Sequence, residues 1–191
     1  MTSRPIATTR SVMGVPTGRL AVWWVLASEI VLFGGLLGSY VMLRLRHDAW
    51  ADQSANTSTW AGGFNTLVLL TSSLLAVLAH QAAERGDGQK AARLLRYTIL
   101  GGGVFLMVKA LEWTHEIQAG FTITSNLFWS FYYMVAGLHA AHVVAGMVMM
   151  FIVSLTAARN EELHRVENVG IYWHFVDVVW IFLFPLLYIA K

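Results

Sequence analysis

The chain has no cysteine among its 191 residues. That absence removes disulfides, iron–sulfur clusters, zinc–thiolate sites and the attachment of c-type haem, all of which need the thiol. Any metal or haem would have to rest on histidine, methionine or carboxylate. Charge is scarce as well: Asp, Glu, Lys and Arg make up 13% of the residues and hydrophobic types 57%, whereas a soluble domain carries about 25% charge. A soluble helical bundle would need far more charge on its outer faces. The composition is that of a membrane protein, and a net charge of +2 says little about partners.

What is present starts with residues 20–43, LAVWWVLASEIVLFGGLLGSYVML. At about 1.5 Å per residue this run spans about 36 Å as a helix, more than the roughly 30 Å hydrocarbon core of a bilayer. Its one ionisable side chain is Glu29. A carboxylate there costs about 2.5–3.5 kcal/mol on insertion scales, so Glu29 is expected to face protein and to be protonated or hydrogen-bonded, with His142 or His174 as partner. Gly34 and Gly38 make one GxxxG step, which predicts close approach of a neighbouring helix. The basic segment before this run, with Arg4, Arg10, Pro16 and Gly18, does not read as a signal peptide, because the run is too long and lacks a small-residue cleavage site.

Four more apolar runs follow. The expected fold is all-α, a polytopic membrane bundle of five transmembrane helices over about 20–43, 62–83, 94–117, 127–157 and 168–190. No repeat and no extramembrane region large enough to fold alone is visible, so residues 1–191 read as one membrane domain. The loop at 44–61 is polar, with Trp50 and Trp60 suited to the interface. The loop at 84–93 is charged and glycine-broken, a tight turn in water. Basic residues set the orientation. Arg4, Arg10 and Arg19, then Arg85, Lys90, Arg93 and Arg96, then Arg159 and Arg165 share one side, against Arg44, Arg46 and Lys191 on the other. The positive-inside rule places the N-terminus in the cytoplasm and the C-terminus outside.

Polar residues inside the spans are the candidate functional groups. Glu29 lies about 4 Å to the cytoplasmic side of its helix midpoint. His139 and His142 are one turn apart near the middle of the fourth span, and His174 and Asp177 are likewise three apart in the fifth. Glu29, His142, His174 and Asp177 would meet at one depth if their helices adjoin. The His174–Asp177 spacing suits a structural hydrogen bond. Lys109 and Glu112, at i and i+3, suit a structural ion pair rather than an ion path, with His115 and Glu116 at the outer interface. His80 sits near the cytoplasmic end of the second span. Gly137, Ala141 and Ala145 form a small-residue stripe that predicts close helix contact, and Met147, Met149 and Met150 read as packing or lipid-facing residues. A b-type haem would need His139 or His142 paired with His174, but Asp177 competes for that imidazole. Pro185 and Gly101–Gly103 are the only hints of the broken helices that transporters use.

Three stretches carry a family resemblance: SEIVLF at 28–33, Glu112-Trp113 followed by AGFTITSNLFWSFYYMVAGLHAAHVVAGM at 119–147, and YWHFVDVVWIFL at 172–183. NTLVLL at 65–70, with His80, fits the family's next helix. Together they resemble subunit III of the haem-copper oxidases, the cytochrome c and quinol oxidases, over roughly residues 20–190. The family often has seven helices, and this chain is similar to its five-helix form. Its usual Glu-Tyr stands here as Glu112-Trp113.

The resemblance implies an accessory, non-catalytic subunit in a proton-translocating respiratory complex of a bacterial cell (inner) membrane. This chain would itself bind no metal; haem and copper would reside in partner subunits. Its partners would be catalytic subunit I, other oxidase subunits and phospholipids held in a cleft between helices, with no nucleic acid. It would support proton uptake and protect the enzyme from inactivation during oxygen reduction. No catalytic residue is implied. Glu29 matches the family's buried, proton-linked glutamate. His139, His142, His174, Asp177, Trp180 and Glu112 match positions with structural or lipid-binding roles. Without the first two helices, the lipid cleft would lack one wall. The corresponding subunit of a nitric oxide reductase, a stand-alone proton carrier and a b-type cytochrome are the competing readings.

Overall fold

In a bilayer the backbone can satisfy its hydrogen bonds only within a helix or a closed barrel, so each apolar run becomes one helix. The computed structural model describes residues 11–12, 15–47 and 50–190; Arg4, Arg10 and Lys191, used above to orient the chain, lie outside the described residues. A two-residue antiparallel pair, β1 (Ser11–Val12) and β2 (Val15–Pro16), precedes α1 (Thr17–Arg46). Then come the short α2 (Trp50–Ser54), α3 (Thr59–Glu84), α4 (Gly88–Gln118), α5 (Leu127–Ala157) and α6 (His164–Phe184). All but α2 are long and apolar enough to cross a membrane. The chain is a multi-pass membrane protein.

The fourth spanning helix has the expected bounds, the first three extend further at both ends, and the fifth starts earlier, at His164, but ends as an α-helix at Phe184 rather than at 190. Residues 88–93, expected in a loop, open α4 because Asp87 caps it, its carboxylate accepting from the Lys90 amide at 2.9 Å. The turn between α3 and α4 is only residues 85–87, with Gly86 at φ 78°, a left-handed value that glycine adopts without strain. Asn126 caps α5 in the same way, accepting from the Trp129 amide at 3.1 Å. The 44–61 segment is not simply a polar loop. Its Trp50 leaves the interface for the interior, edge-on to Tyr40 and Phe128 at ring separations of 5.4 and 5.6 Å, whereas Trp60 stays exposed.

Helices α3, α4, α5 and α6 pack in cyclic order, and α1 lies on the outside against α6. Two arginines fix α1 parallel to α6: Arg19 bonds Glu167 at the start of α6, and Arg44 bonds the Ala190 carbonyl beyond its end. After Phe184 the chain makes one wide turn, Pro185–Ile189, closed by the Ala190 amide on the Pro185 carbonyl at 2.8 Å. A helix end leaves carbonyls without intrahelical donors, and here neighbouring elements supply them. Tyr40 Oη donates to the Leu186 carbonyl at 2.5 Å, Thr57 Oγ1 to Leu187 at 3.3 Å and Thr59 Oγ1 to Tyr188 at 3.1 Å.

Small residues act where the sequence did not point. A Cβ on Gly34 or Gly38 would meet nothing within 4 Å, and Ala141 and Ala145 are exposed, so neither stripe makes a close contact within this chain. Close approaches occur elsewhere: an added Cβ would lie 2.2 Å from the Ala157 carbonyl oxygen at Gly88, 2.7 Å from the Phe184 ring at Gly62, 2.8 Å from Ser72 Cβ at Gly101, and 2.9 and 2.8 Å from the Trp173 indole at Gly102 and Gly146. The run Gly101–Gly103 leaves α4 unbroken.

Candidate functional site

Glu29 meets His142. The carboxylate Oε2 lies 3.0 Å from His142 Nε2, joining α1 to α5, and both side chains are largely buried. The other ring nitrogen, Nδ1, lies 2.8 Å from the Leu138 carbonyl. A carbonyl only accepts, so Nδ1 carries a hydrogen in either arrangement. The contact between Glu29 and Nε2 therefore needs one more proton, held as a carboxylic acid donating to imidazole or as an imidazolium donating to carboxylate. In both arrangements one hydrogen lies between Glu29 and His142. Phe33 stands edge-on to the imidazole at 5.1 Å.

The four groups expected at one depth divide into separate contacts. His174 and Asp177 do not pair. His174 Nδ1 lies 2.7 Å from Ser73 Oγ on α3, and neither Asp177 oxygen has a hydrogen-bond partner among the described residues although the residue is only 3% exposed. Three residues along a helix place the two side chains near one face, but Ser73 is the donor or acceptor within reach of the imidazole. His142 is thus held by Glu29 and His174 by Ser73. Among the described residues, no group of three or more His, Asp or Glu is placed to hold a metal ion.

His139 is fully buried in the bundle. Its ring stacks on Trp180, 5.2 Å between centroids, and stands edge-on to Phe105, with neither nitrogen hydrogen-bonded. Trp180 in turn donates from Nε1 to Thr66 Oγ1 at 3.0 Å, and Trp173 donates to Ser72 Oγ at 3.1 Å. The hydroxyls Thr66, Ser72 and Ser73 on α3 thus hold the indoles and the imidazole of α6. Sequence reasoning missed them; their closeness to one another within an apolar helix was the available signal.

Lys109 and Glu112 pair as expected, Nζ to Oε2 at 2.9 Å. The pair is part of a larger cluster. Lys109 also donates to Tyr132 Oη at 3.0 Å and Tyr188 Oη at 2.5 Å, and Tyr132 reaches Glu116 Oε1 at 3.1 Å. Glu116, near the end of α4 as expected, is buried there beneath Tyr132 and Tyr133 of α5. Its i+4 spacing from Glu112 was the legible sign.

Because the hydroxyl near Asp177 is that of Ser73, which is engaged with His174 at 2.7 Å, Asp177→Asn is expected to leave assembly intact and change stability by less than about 1 kcal/mol. Thermal unfolding of the detergent-solubilised protein checks this. A loss of several kcal/mol would restore the His174–Asp177 brace.

A family model described as cytochrome c oxidase subunit III matches residues 57–191. The cytochrome c oxidase subunit 3 of Corynebacterium diphtheriae is 34% identical over 173 residues, covering 87% of this chain and 84% of that one. The subunit 3 of Thermostichus vulcanus is 32% identical, covering 86% and 83%. A haem-copper oxidase subunit I+III of Aeropyrum pernix is 30% identical over 90% of this chain, which accounts for 22% of that longer protein.

Proposed function

The chain belongs to the cytochrome c oxidase subunit III family, and from that premise we propose that it is a non-catalytic subunit of a terminal respiratory oxidase whose Glu29–His142 pair is linked to proton uptake. The observation that carries this reading is the 3.0 Å contact between Glu29 Oε2 and His142 Nε2, which joins two membrane-spanning helices. A carboxyl–imidazole pair can pass a proton without leaving either group as an uncompensated charge, which a low-dielectric site penalises.

The pair bridges α1 and α5, two helices that otherwise pack mainly through α6. The space between them, over α6, is the place for a phospholipid acyl chain. His139, His174, Trp180 and Glu112 act as structural supports, each held by contacts within the bundle. The five spanning helices act as one membrane domain, oriented with the N-terminus in the cytoplasm. The catalytic subunit is the partner; in the Aeropyrum pernix relative, subunits I and III share one polypeptide, which supports a lateral contact in the bilayer.

Purification of the tagged chain from its own membrane in mild detergent tests the assignment. It is expected to retain a haem-containing catalytic subunit that reduces oxygen. Recovery with a complex that reduces nitric oxide but not oxygen would overturn it, as would proton flux through the chain alone in liposomes.

A further inference from the structure

We propose that the Lys109–Glu112–Glu116 cluster holds one exchangeable proton on Glu116, traded with water through the pocket between Asn56 and His115. The cluster lies where α4 ends and α5 begins. Glu112 and Glu116 form the buried floor of an open pocket of about 400 Å³, and Asn56, Ser58 and His115 form its exposed rim. Two carboxylates and one ammonium are thus set side by side, with Lys109 2% exposed and Glu116 4%.

Counting hydrogens assigns the charges. An ammonium has three donors, and those of Lys109 go to Glu112 Oε2, Tyr132 Oη and Tyr188 Oη. Tyr188 donates to Glu112 at 3.2 Å. Glu112 therefore has both the cation and a phenol. Glu116 is left with hydroxyls alone: Tyr132 at 3.1 Å, and Tyr133 at 3.4 Å, whose better acceptor is the Phe121 carbonyl at 2.8 Å.

The elements packed around Glu116 bring no second cation. Helix α5 supplies Tyr132 and Tyr133, the turn after α6 supplies Tyr188, and α4 itself supplies Lys109, Glu112 and, at the rim, His115. Among the described residues, Lys109 is the one cation bonded to either carboxylate. An ionised Glu116 would be an unpaired buried charge, so it carries a proton as a carboxylic acid. When the proton leaves, it passes from the carboxyl oxygen to a water in the pocket as hydronium, and the cluster gains one negative charge. Tyr132, within 3.3 Å of Glu112 and 3.1 Å of Glu116, can turn its single hydroxyl hydrogen toward whichever carboxylate is ionised. Glu116 is on a different helix from Glu29, and its proton is independent of the Glu29–His142 pair.

Infrared difference spectroscopy of the assembled complex, titrated across about pH 5 to 9, tests this. The wild type is expected to show one carboxylic-acid carbonyl band that disappears as pH rises, shifts promptly in heavy water, and is absent from Glu116→Gln. Should that variant not assemble, Glu116→Asp must move the same band. Access through the pocket is tested with Ala61→Cys, since the chain has no native cysteine. Coupling a bulky maleimide there is expected to slow the heavy-water shift at least tenfold. A spectrum unchanged by substitution at Glu116, or an exchange rate indifferent to the blocked pocket, would overturn the proposal. So would a band that responds to sodium concentration rather than to pH.

Discussion

Lys109→Met is expected to destabilise the folded subunit by about 3–5 kcal/mol, the cost of breaking a buried ion pair by removing one partner. Lys109 is the centre of three hydrogen bonds and stands 5.0 Å from the Tyr132 ring centroid and 5.3 Å from that of Tyr188. Methionine fills much of the volume but leaves Glu112 without its cation and both phenols without their donor. The double variant Lys109→Met/Glu112→Gln should recover part of the loss, because the orphaned charge goes with the lysine. Retention of the subunit in the purified complex, with thermal unfolding of the single and double variants, measures the coupling. Equal losses in both would mean that the pair contributes shape and not charge compensation.

The second large effect is expected at Gly146. Its α-carbon sits against the Trp173 indole so closely that even a Cβ would come within 2.8 Å of the ring, and Gly102 presses on the same indole from α4. Gly146→Leu forces Trp173 to move, and Trp173 cannot move without losing its bond to Ser72. Overpacking of this kind costs about 1–3 kcal/mol and more where backbone must shift. Gly146→Ala should be milder, and Gly38→Leu or Ala141→Leu should leave the subunit's own fold unchanged, since those faces are open. Unfolding midpoints of the four variants check the order. If Gly38→Leu proves as damaging as Gly146→Leu in the isolated subunit, the outward direction of the α1 glycines is wrong.

That contrast shows where sequence stops being informative. The length of an apolar run fixes a span, so all five were legible, and capping by Asp87 and Asn126 refines their ends. Helical rise fixes depth, which brought Glu29 and His142 to one level before any coordinates, and i+3 spacing gave Lys109–Glu112. Azimuth is a different matter. Gly34, Gly38, Gly102 and Gly146 look alike in a sequence, and only the packing of α1 outside the other four helices separates open glycines from clamped ones. The same gap hid the partner of His174. Asp177 on its own helix was the visible candidate, while the clustering of Ser73 with Thr66 and Ser72 marked the hydroxyls as a group without saying which side chain, 101 residues away for Ser73, each would meet. The position of Glu116 near the end of α4 was legible, while the cover that Tyr132 and Tyr133 of α5 place over it was not.

The central claim is that Glu29 and His142 share a proton that the oxidase uses. Glu29→Gln keeps the size of the side chain and can still donate from its amide to His142 Nε2, so the subunit should assemble and oxygen reduction should continue. An amide does not give up that hydrogen, so the shared proton is lost. Glu29→Ala should be worse, because it adds a cavity and leaves His142 unpartnered. The most direct measurement is the proton-to-electron ratio, followed together with turnover lifetime, of the assembled Glu29→Gln enzyme in vesicles. A lowered ratio or a shortened lifetime at normal assembly is the predicted result; an enzyme in which both match the wild type would contradict it.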